Sequence, residues 1–468
     1  MEPISGDEMC SATWRGRTIA ETHVVCHEPV IDVSTTIERE RFNSFIVRLV
    51  ALSSIVAFCD GFDQNVISFT APALSKELNL SPAMMGNVFA AGLVGSMLGG
   101  FFLGAIADRV GRRPSMILGT VLFSLFTLSV ALASSYEALL ATRFAVGIGT
   151  GGLLPVCWAL NIEYVPKRFR ATIVTLVMLG YSAGASMGGP VAVWLIPSYG
   201  WKSVFIFGGV LSLVVSGALI AFLPESVRFL AARGRDVAKI GDILHGLAPE
   251  LYVPPGVHFT VSDEDHGARR FSPALLFRGE LRWITPMLWL AYTFSSIGAF
   301  FLTTWTPLVF QALKFAPAEA AAAGSITSIG GALGGLSLMR FTDVHGAIAV
   351  AVMPAIAVPL LLIGGLADLG HAVFLVLIGL IAFALVGGHL GLNSIAGIFY
   401  PSVLRATGAG WAAAVGKIGS IAGPFLGGLI LSTNLPTQNI FAVVAVCPAL
   451  LLVCLLVIGR FHRALLAR

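Results

Sequence analysis

The chain has 468 residues, 56% of them hydrophobic and only 12% charged, with a net charge of +4 and a mean hydropathy of +0.87. A soluble globular protein carries about twice that charged fraction; a chain this apolar cannot cover itself with polar surface in water, so lipid is its solvent. No Ser/His/Asp, Cys/His or metal-ligand constellation points to an enzyme, and nothing supports nucleic-acid binding.

Residues 1–43 are polar and mixed in charge, and they lack the roughly 7–15-residue apolar core of a cleavable signal. They are expected to be either a disordered cytoplasmic tail or the product of an upstream start. Cys10 and Cys26 lie in this tail, and Cys59, Cys157, Cys447 and Cys454 lie inside apolar stretches. Their spacing suits neither a disulfide framework nor a metal site, and they read as small apolar residues.

A helix needs about 20 mostly apolar residues to cross the hydrocarbon layer. Twelve such stretches follow in order: 45–74, 82–107, 115–133, 137–164, 169–197, 202–223, 282–311, 317–340, 347–367, 371–398, 404–431 and 438–460. A polar insertion at 224–281 divides a six-span half, 44–223, from a second, 282–460, and 461–468 form a short tail. Lys and Arg set the expected orientation. Nineteen of them fall on one set of loops, including Arg109, Arg112, Arg113, Lys167, Arg168 and Arg170, and only Lys76, Lys202 and Lys314 on the other. Both termini are therefore expected in the cytoplasm, with the protein in the plasma (inner) membrane.

The second half repeats the first at an ungapped offset of 235 residues: Pro72 meets Pro307, Gly99-Gly100 meets Gly334-Gly335, Asp108 meets Asp343, Gly111 meets Gly346, Pro166 meets Pro401, and Arg170-Ala171-Thr172 meets Arg405-Ala406-Thr407. Six spans per half make the repeat parallel, with an axis along the membrane normal and a cavity between the halves. The expected fold is an all-α membrane protein, twelve transmembrane helices in two parallel six-helix halves around a central cavity.

Charges inside the spans are the candidate functional groups, because an ionised side chain in lipid is costly. Asp60 and Asp63 stand three apart on one helix face, and Arg143, Glu163 and Lys417 also fall within predicted spans. A purely structural pairing of the two aspartates with Arg48 or Arg143 stays open. So does a hydrogen-bonded core role for His389, or plain packing for Tyr181, Trp305, Phe301 and Trp411.

Gly104-Ala-Ile-Ala-Asp108-Arg109-Val-Gly111-Arg112-Arg113-Pro114 joins the second and third spans. Its acid suits a neighbouring helix N-terminus and its arginines suit acids or lipid phosphates, which makes a latch able to break and reform. The segment resembles the signature loop of the major facilitator superfamily. The second-half copy, Arg340-Phe-Thr-Asp343-Val-His345-Gly346, has lost the basic run and is expected to latch more weakly. Asp60-Gly-Phe-Asp63, Arg143 with its following glycines, Glu163-Tyr164-Val-Pro166, Pro224-Glu225-Ser226-Val-Arg228 and Tyr400-Pro401 through Gly416-Lys417-Ile-Gly419 resemble the aromatic acid:proton symporter family, over about 44–460.

That resemblance implies proton-driven import of a hydroxybenzoate-like carboxylate by alternating access, with no cofactor beyond the coupling proton and no partner beyond substrate, protons and the lipid bilayer, the protein acting as a monomer. Carried over, Asp60, Asp63, Glu163 and Arg143 are the proton-coupling candidates. Asp343 and Arg405 join Gly104, Asp108, Arg109, Gly111, Arg112 and Arg113 at the cytoplasmic gating loops. Substrate contacts are expected from Lys417, His389, Tyr181, Trp305, Trp411 and Asn393. Lys417 stands where the family usually has Arg, replacing a bidentate fork by a point charge, and His389 where it often has Gln. Alternatives within transport are another organic acid, a sugar, or export; a membrane sensor is the alternative outside it.

Overall fold

A computed structural model describes residues 30–40, 43–234, 236–251, 254, 257–261, 273–279, 281–345, 347–400, 402–433 and 435–466; the side chains of 273–274, 339–345, 347–349, 393–399, 402–403, 405–407 and 461–466 are outside the description. Strand β1 (Val30–Asp32) and helix α1 (Val33–Arg39) precede the first half, which holds α2 (Ser44–Glu77), α3 (Pro82–Arg109), α4 (Arg112–Val130), α5 (Tyr136–Thr150), α6 (Leu153–Glu163), α7 (Arg170–Tyr199) and α8 (Lys202–Phe222). The connecting region contributes α9 (Val227–Ala232), α10 (Val237–Leu247) and β2 (His258–Thr260). The second half holds α11 (Leu281–Ala312), α12 (Pro317–His345), α13 (Ala347–Leu366), α14 (His371–Phe399), α15 (Ser402–Leu431), α16 (Ile440–Val444) and α17 (Val446–Leu466).

Eleven of the described segments are long and apolar enough to cross a membrane, and α13 supplies a shorter apolar stretch, Val350–Leu366. The fourth span is one rod broken at Gly151-Gly152 into α5 and α6. Local chemistry marks the helix starts. Asn43 accepts from Ile46 N at 3.0 Å, Ser81 from Met84 N at 3.2 Å with Pro82 following, and Ser135 from Ala138 N at 3.2 Å. Each cap satisfies an amide that has no partner within its own helix. Outward faces are apolar, with Phe101, Phe102 and Trp194 exposed as lipid requires.

The halves pack by one plan. In the first, α2 lies on α7, α3 on α5 and α4 on α8; in the second, α11 lies on α15, α12 on α14 and α13 on α17. The register holds down to single contacts. A Cβ on Gly99 would stand 2.2 Å from the Ile148 carbonyl oxygen, and its repeat mate Gly334 would meet Phe383, the mate of Ile148, at 2.1 Å. Helix backbones that touch so closely tolerate no side chain between them.

The halves seal against each other at the far end, away from the start of α2. There Gly86 packs on Pro424 and Gly189 on Ala321, two contacts that the 235-residue register exchanges. Ser325 Oγ donates to the Ser186 carbonyl oxygen across the same seam, at 2.9 Å.

One expectation needs correction. Within the N-terminal segment, residues 30–39 are folded, as β1 and α1. β1 pairs in parallel with β2, Val30 opposite His258 and Asp32 opposite Thr260. Val33 and Ile37 are buried with Ile240, Leu244 and Leu247 in one cluster, and Asn43 Nδ2 donates to Leu247 O at 2.6 Å. Apolar residues spaced for a helix face found a partner face in the connecting region, which a reading of the tail alone could not supply. Residues 1–29, with Cys10 and Cys26, lie outside the described residues.

Gly99→Ala and Gly334→Ala are each expected to cost about 1–3 kcal/mol by overpacking. Gly217, with no atom near its would-be Cβ, should accept alanine without loss. Thermal unfolding of purified protein in detergent, with size-exclusion profiles, checks the contrast.

Candidate functional site

Asp63 falls near the middle of α2 and Arg143 at the middle of α5, and the two helices bring them together. Arg143 Nη1 lies 3.2 Å from Asp63 Oδ2, with side chains only 4% and 2% exposed. Thr127 of α4 donates to the other carboxylate oxygen at 2.8 Å. Both oxygens of Asp63 are thus satisfied, as a buried charge requires. Arg143 Nε is buried without a hydrogen-bond partner among the described residues.

Asp60, a turn earlier, is buried as well. Among the described residues no hydrogen bond or ion pair engages its carboxylate, and the charged groups within electrostatic reach are Asp63 and Lys417. Lys417 comes from the second half. A Cβ on Gly100 of α3 would be 3.9 Å from its Nζ, so the ammonium spans the interface between halves. His389 of α14 places Nδ1 3.1 Å from Ser295 Oγ and meets the ring of Phe300 edge-on, centroids 6.1 Å apart. Ser295 is the repeat mate of Asp60.

Arg143, Lys417, His389 and Phe300 reach two adjoining lobes of a cavity between the halves, about 280 and about 230 Å³ in volume. Arg143 and Tyr181 line the larger lobe and Lys417 the smaller, while Gln64, Leu93, Phe300 and His389 line both. The repeat register again pairs lining positions: Leu154 with His389, Leu93 with Ser328, Tyr181 with Gly416 and Ser182 with Lys417. Sequence reasoning missed Gln64, Asn65, Phe300, Thr303, Thr304 and Ser328. The signal was present for Gln64, one turn beyond Asp60 on the same face, and for Ser328, once Leu93 is known to line the cavity.

Both members of the internal repeat thus wall one cavity, with a buried ion pair in the first half and a lysine from the second. The sequence model of the Major Facilitator Superfamily matches residues 53–389. The chain belongs to the major facilitator superfamily. It is therefore a multi-pass membrane transporter and not an enzyme. It is 32% identical to the 4-hydroxybenzoate transporter PcaK of Pseudomonas putida over 93% of this chain and 97% of that one. It is 33% identical to a gallate transporter of the same species, over 88% and 91%. The resemblance drawn from the motifs agrees with both. Among solved structures, the partially occluded, inward-open xylose transporter XylE from E. coli matches with a TM-score of 0.66 at 16% identity, over 88% of this chain and 97% of that one. At that identity the match speaks for the fold alone.

Several candidates stand elsewhere than expected. Glu163 is not beside Asp60 and Asp63. It ends the rod that carries Arg143, roughly 30 Å away at about 1.5 Å rise per residue, and pairs with Arg112 Nε at 3.2 Å. Trp305 is buried in the far-end seal, donating to Pro424 O at 3.0 Å and edge-on to Phe89. Trp411 is 45% exposed and stacks on Trp289. Phe301 is buried in the core, and its neighbour Phe300 is the one facing the cavity. The side chains of Asn393, Asp343 and Arg405 lie outside the described residues.

The signature loop is built differently from expectation too. Asp108 is 80% exposed and 3.8 Å from Arg112, and the acid at the N-terminus of α4 is Glu225. Its Oε1 accepts from the amides of Arg112 at 2.9 Å and Arg113 at 3.2 Å, where the helix dipole favours an anion. Gly111 permits the approach: its φ is +127°, and a Cβ there would sit 2.2 Å from Glu225 Oε2. Arg233 donates to the carbonyl oxygens of Asp108 and Arg109, at 2.8 and 2.6 Å, and so caps the end of α3 with the opposite sign of charge. Nothing local in the sequence joins Glu225 or Arg233 to a loop more than 100 residues earlier.

Arg143→Met is expected to strand the buried Asp63 carboxylate and cost about 3–5 kcal/mol. Adding Asp63→Asn should recover much of that loss, because the uncompensated charge is then gone. Unfolding midpoints of the two variants, compared in the same detergent, check the recovery.

Proposed function

We propose that this chain imports an aromatic carboxylate of the hydroxybenzoate kind together with protons. The observation that carries the reading is the cavity itself. Beside it lie a buried acid–arginine pair, Asp63 and Arg143, and an unpaired acid, Asp60, the last within electrostatic reach of a lysine from the other half. The names of the relatives, 4-hydroxybenzoate and gallate transporters, support the substrate class. The asymmetry of Lys and Arg between the two loop sets supports cytoplasmic termini, a location in the cytoplasmic membrane, and a sealed far end that faces outward. No cofactor is needed beyond the proton, and a single chain supplies the whole cavity.

Lys417 receives the carboxylate. Asp60 takes up a proton from outside, and protonation of Asp63 would release Arg143 from its partner. Either event removes one negative charge from the first half as the anion binds to the second, so the net charge of the loaded cavity is unchanged. An anion entering a negative-inside cell alone opposes about 2.3 kcal/mol per 100 mV. One proton cancels that charge, and a second lets the potential drive uptake. Glu163 and Arg112, with Glu225 and Arg233 holding the helix ends beside them, form the cytoplasmic gating cluster in this scheme.

Proteoliposomes loaded at neutral pH and diluted into acidic medium with labelled 4-hydroxybenzoate test the coupling. Accumulation should rise with the imposed gradient and collapse with an uncoupler. It should be lost in Asp60→Asn and in Asp63→Asn. Uptake indifferent to the gradient sinks the symport, and full accumulation in both variants refutes the role of the acids.

A further inference from the structure

Three of the cavity's polar groups differ in hydrogen-bond character. In the smaller lobe Lys417 presents an ammonium, which donates and never accepts. Among the described residues neither a hydrogen bond nor a salt bridge engages its Nζ. In the larger lobe Thr303 of α11 and Ser328 of α12 present hydroxyls whose single hydrogen is already committed. Thr303 Oγ1 donates to Ala299 O at 3.0 Å and Ser328 Oγ to Gly324 O at 3.3 Å, each within its own helix. What they offer the cavity is lone pairs. Asn65 adds its amide oxygen, since its nitrogen faces the Gly61 carbonyl at 3.0 Å.

A carboxylate carries lone pairs and no hydrogen, so it gains nothing from Thr303 or Ser328. A phenolic hydroxyl has the hydrogen they lack. Arg143, the cation lining the larger lobe, has its charge balanced by Asp63 at 3.2 Å, although its Nε has no hydrogen-bond partner among the described residues. The wall common to the lobes offers Phe300 and Leu93 as apolar surfaces for a ring passing between them.

We infer that the cavity holds its substrate in one orientation, carboxylate on Lys417 and a ring hydroxyl donating to Thr303 and Ser328. These two residues thereby select ring-hydroxylated acids over unsubstituted ones. The inference rests on the aromatic-acid reading above and adds the direction of the substrate and the residues that read its ring.

Calorimetric binding to the purified full-length protein in lipid nanodiscs tests it, with benzoate, 3-hydroxybenzoate, 4-hydroxybenzoate and 3,4-dihydroxybenzoate as probes. Wild type should prefer the best hydroxylated acid over benzoate by about three- to tenfold, the worth of one buried hydrogen bond. Thr303→Val and Ser328→Ala, examined singly and checked for monodispersity, should each shrink that ratio toward one. Thr303→Ser, which keeps an oxygen in place, should retain it. Lys417→Met should weaken all four acids alike and leave the ratio standing. A wild type that binds benzoate as tightly as every hydroxylated acid overturns the orientation, as does a ratio unchanged in both Thr303→Val and Ser328→Ala. Failure of wild type to bind any of the four overturns the aromatic-acid reading, and the orientation with it.

Discussion

Asp63 and Arg143 are charged side chains held out of water in the middle of a helix bundle. Each alone would be prohibitively placed, and together, with Thr127 on the second oxygen, they are satisfied. The pair draws α2, α4 and α5 to one point. The repeat shows how particular this is: the equivalent positions are Gly298, Leu362 and Ile378, so the second half has no charged pair at its matching point. In the scheme proposed above, protonation of Asp63 would loosen the first half at its centre without an equivalent in the second.

Around that asymmetric centre the scaffold is symmetric. Gly99 on Ile148 and Gly334 on Phe383 are one contact made twice, and the far-end seal of Gly86 on Pro424 and Gly189 on Ala321 is another. Contacts between small residues and backbone give close approach without interdigitating side chains, within each half in the first case and between the halves in the second. The charges ride on this scaffold. The first half contributes the acids and Arg143, the second contributes Lys417 and His389, and the cavity is where the two sets face each other.

At the opposite end the connecting region acts as more than a tether. Glu225 caps the start of α4, Arg233 caps the end of α3, and the folded N-terminal segment is sewn to the same region through β1 and β2. Glu38 of that segment accepts from the Lys167 amide at 3.1 Å, at the loop between α6 and α7. These bonds all fall on the first half or its adjoining loops, so the signature loop is braced as part of that half.

Much of this was legible in the residues. Span length and apolarity gave the helices, because lipid forces every backbone group into internal hydrogen bonds. The ungapped repeat gave the two halves, and the cost of charge in lipid singled out Asp60, Asp63, Arg143 and Lys417. Depth along a helix was also available, since rise per residue is fixed, and it places Glu163 a membrane's thickness from Arg143. What one chain read end to end could not supply was the partner on another helix. That Trp305 closes a seal while Phe300 faces the cavity, that Glu225 rather than Asp108 meets the start of α4, and that Thr303 and Ser328 line the larger lobe with hydroxyls bonded inside their own helices were decided by tertiary structure alone. Those facts depend on the rotation and crossing of packed helices, which are set by contacts between residues a hundred or more positions apart and leave no mark in local sequence.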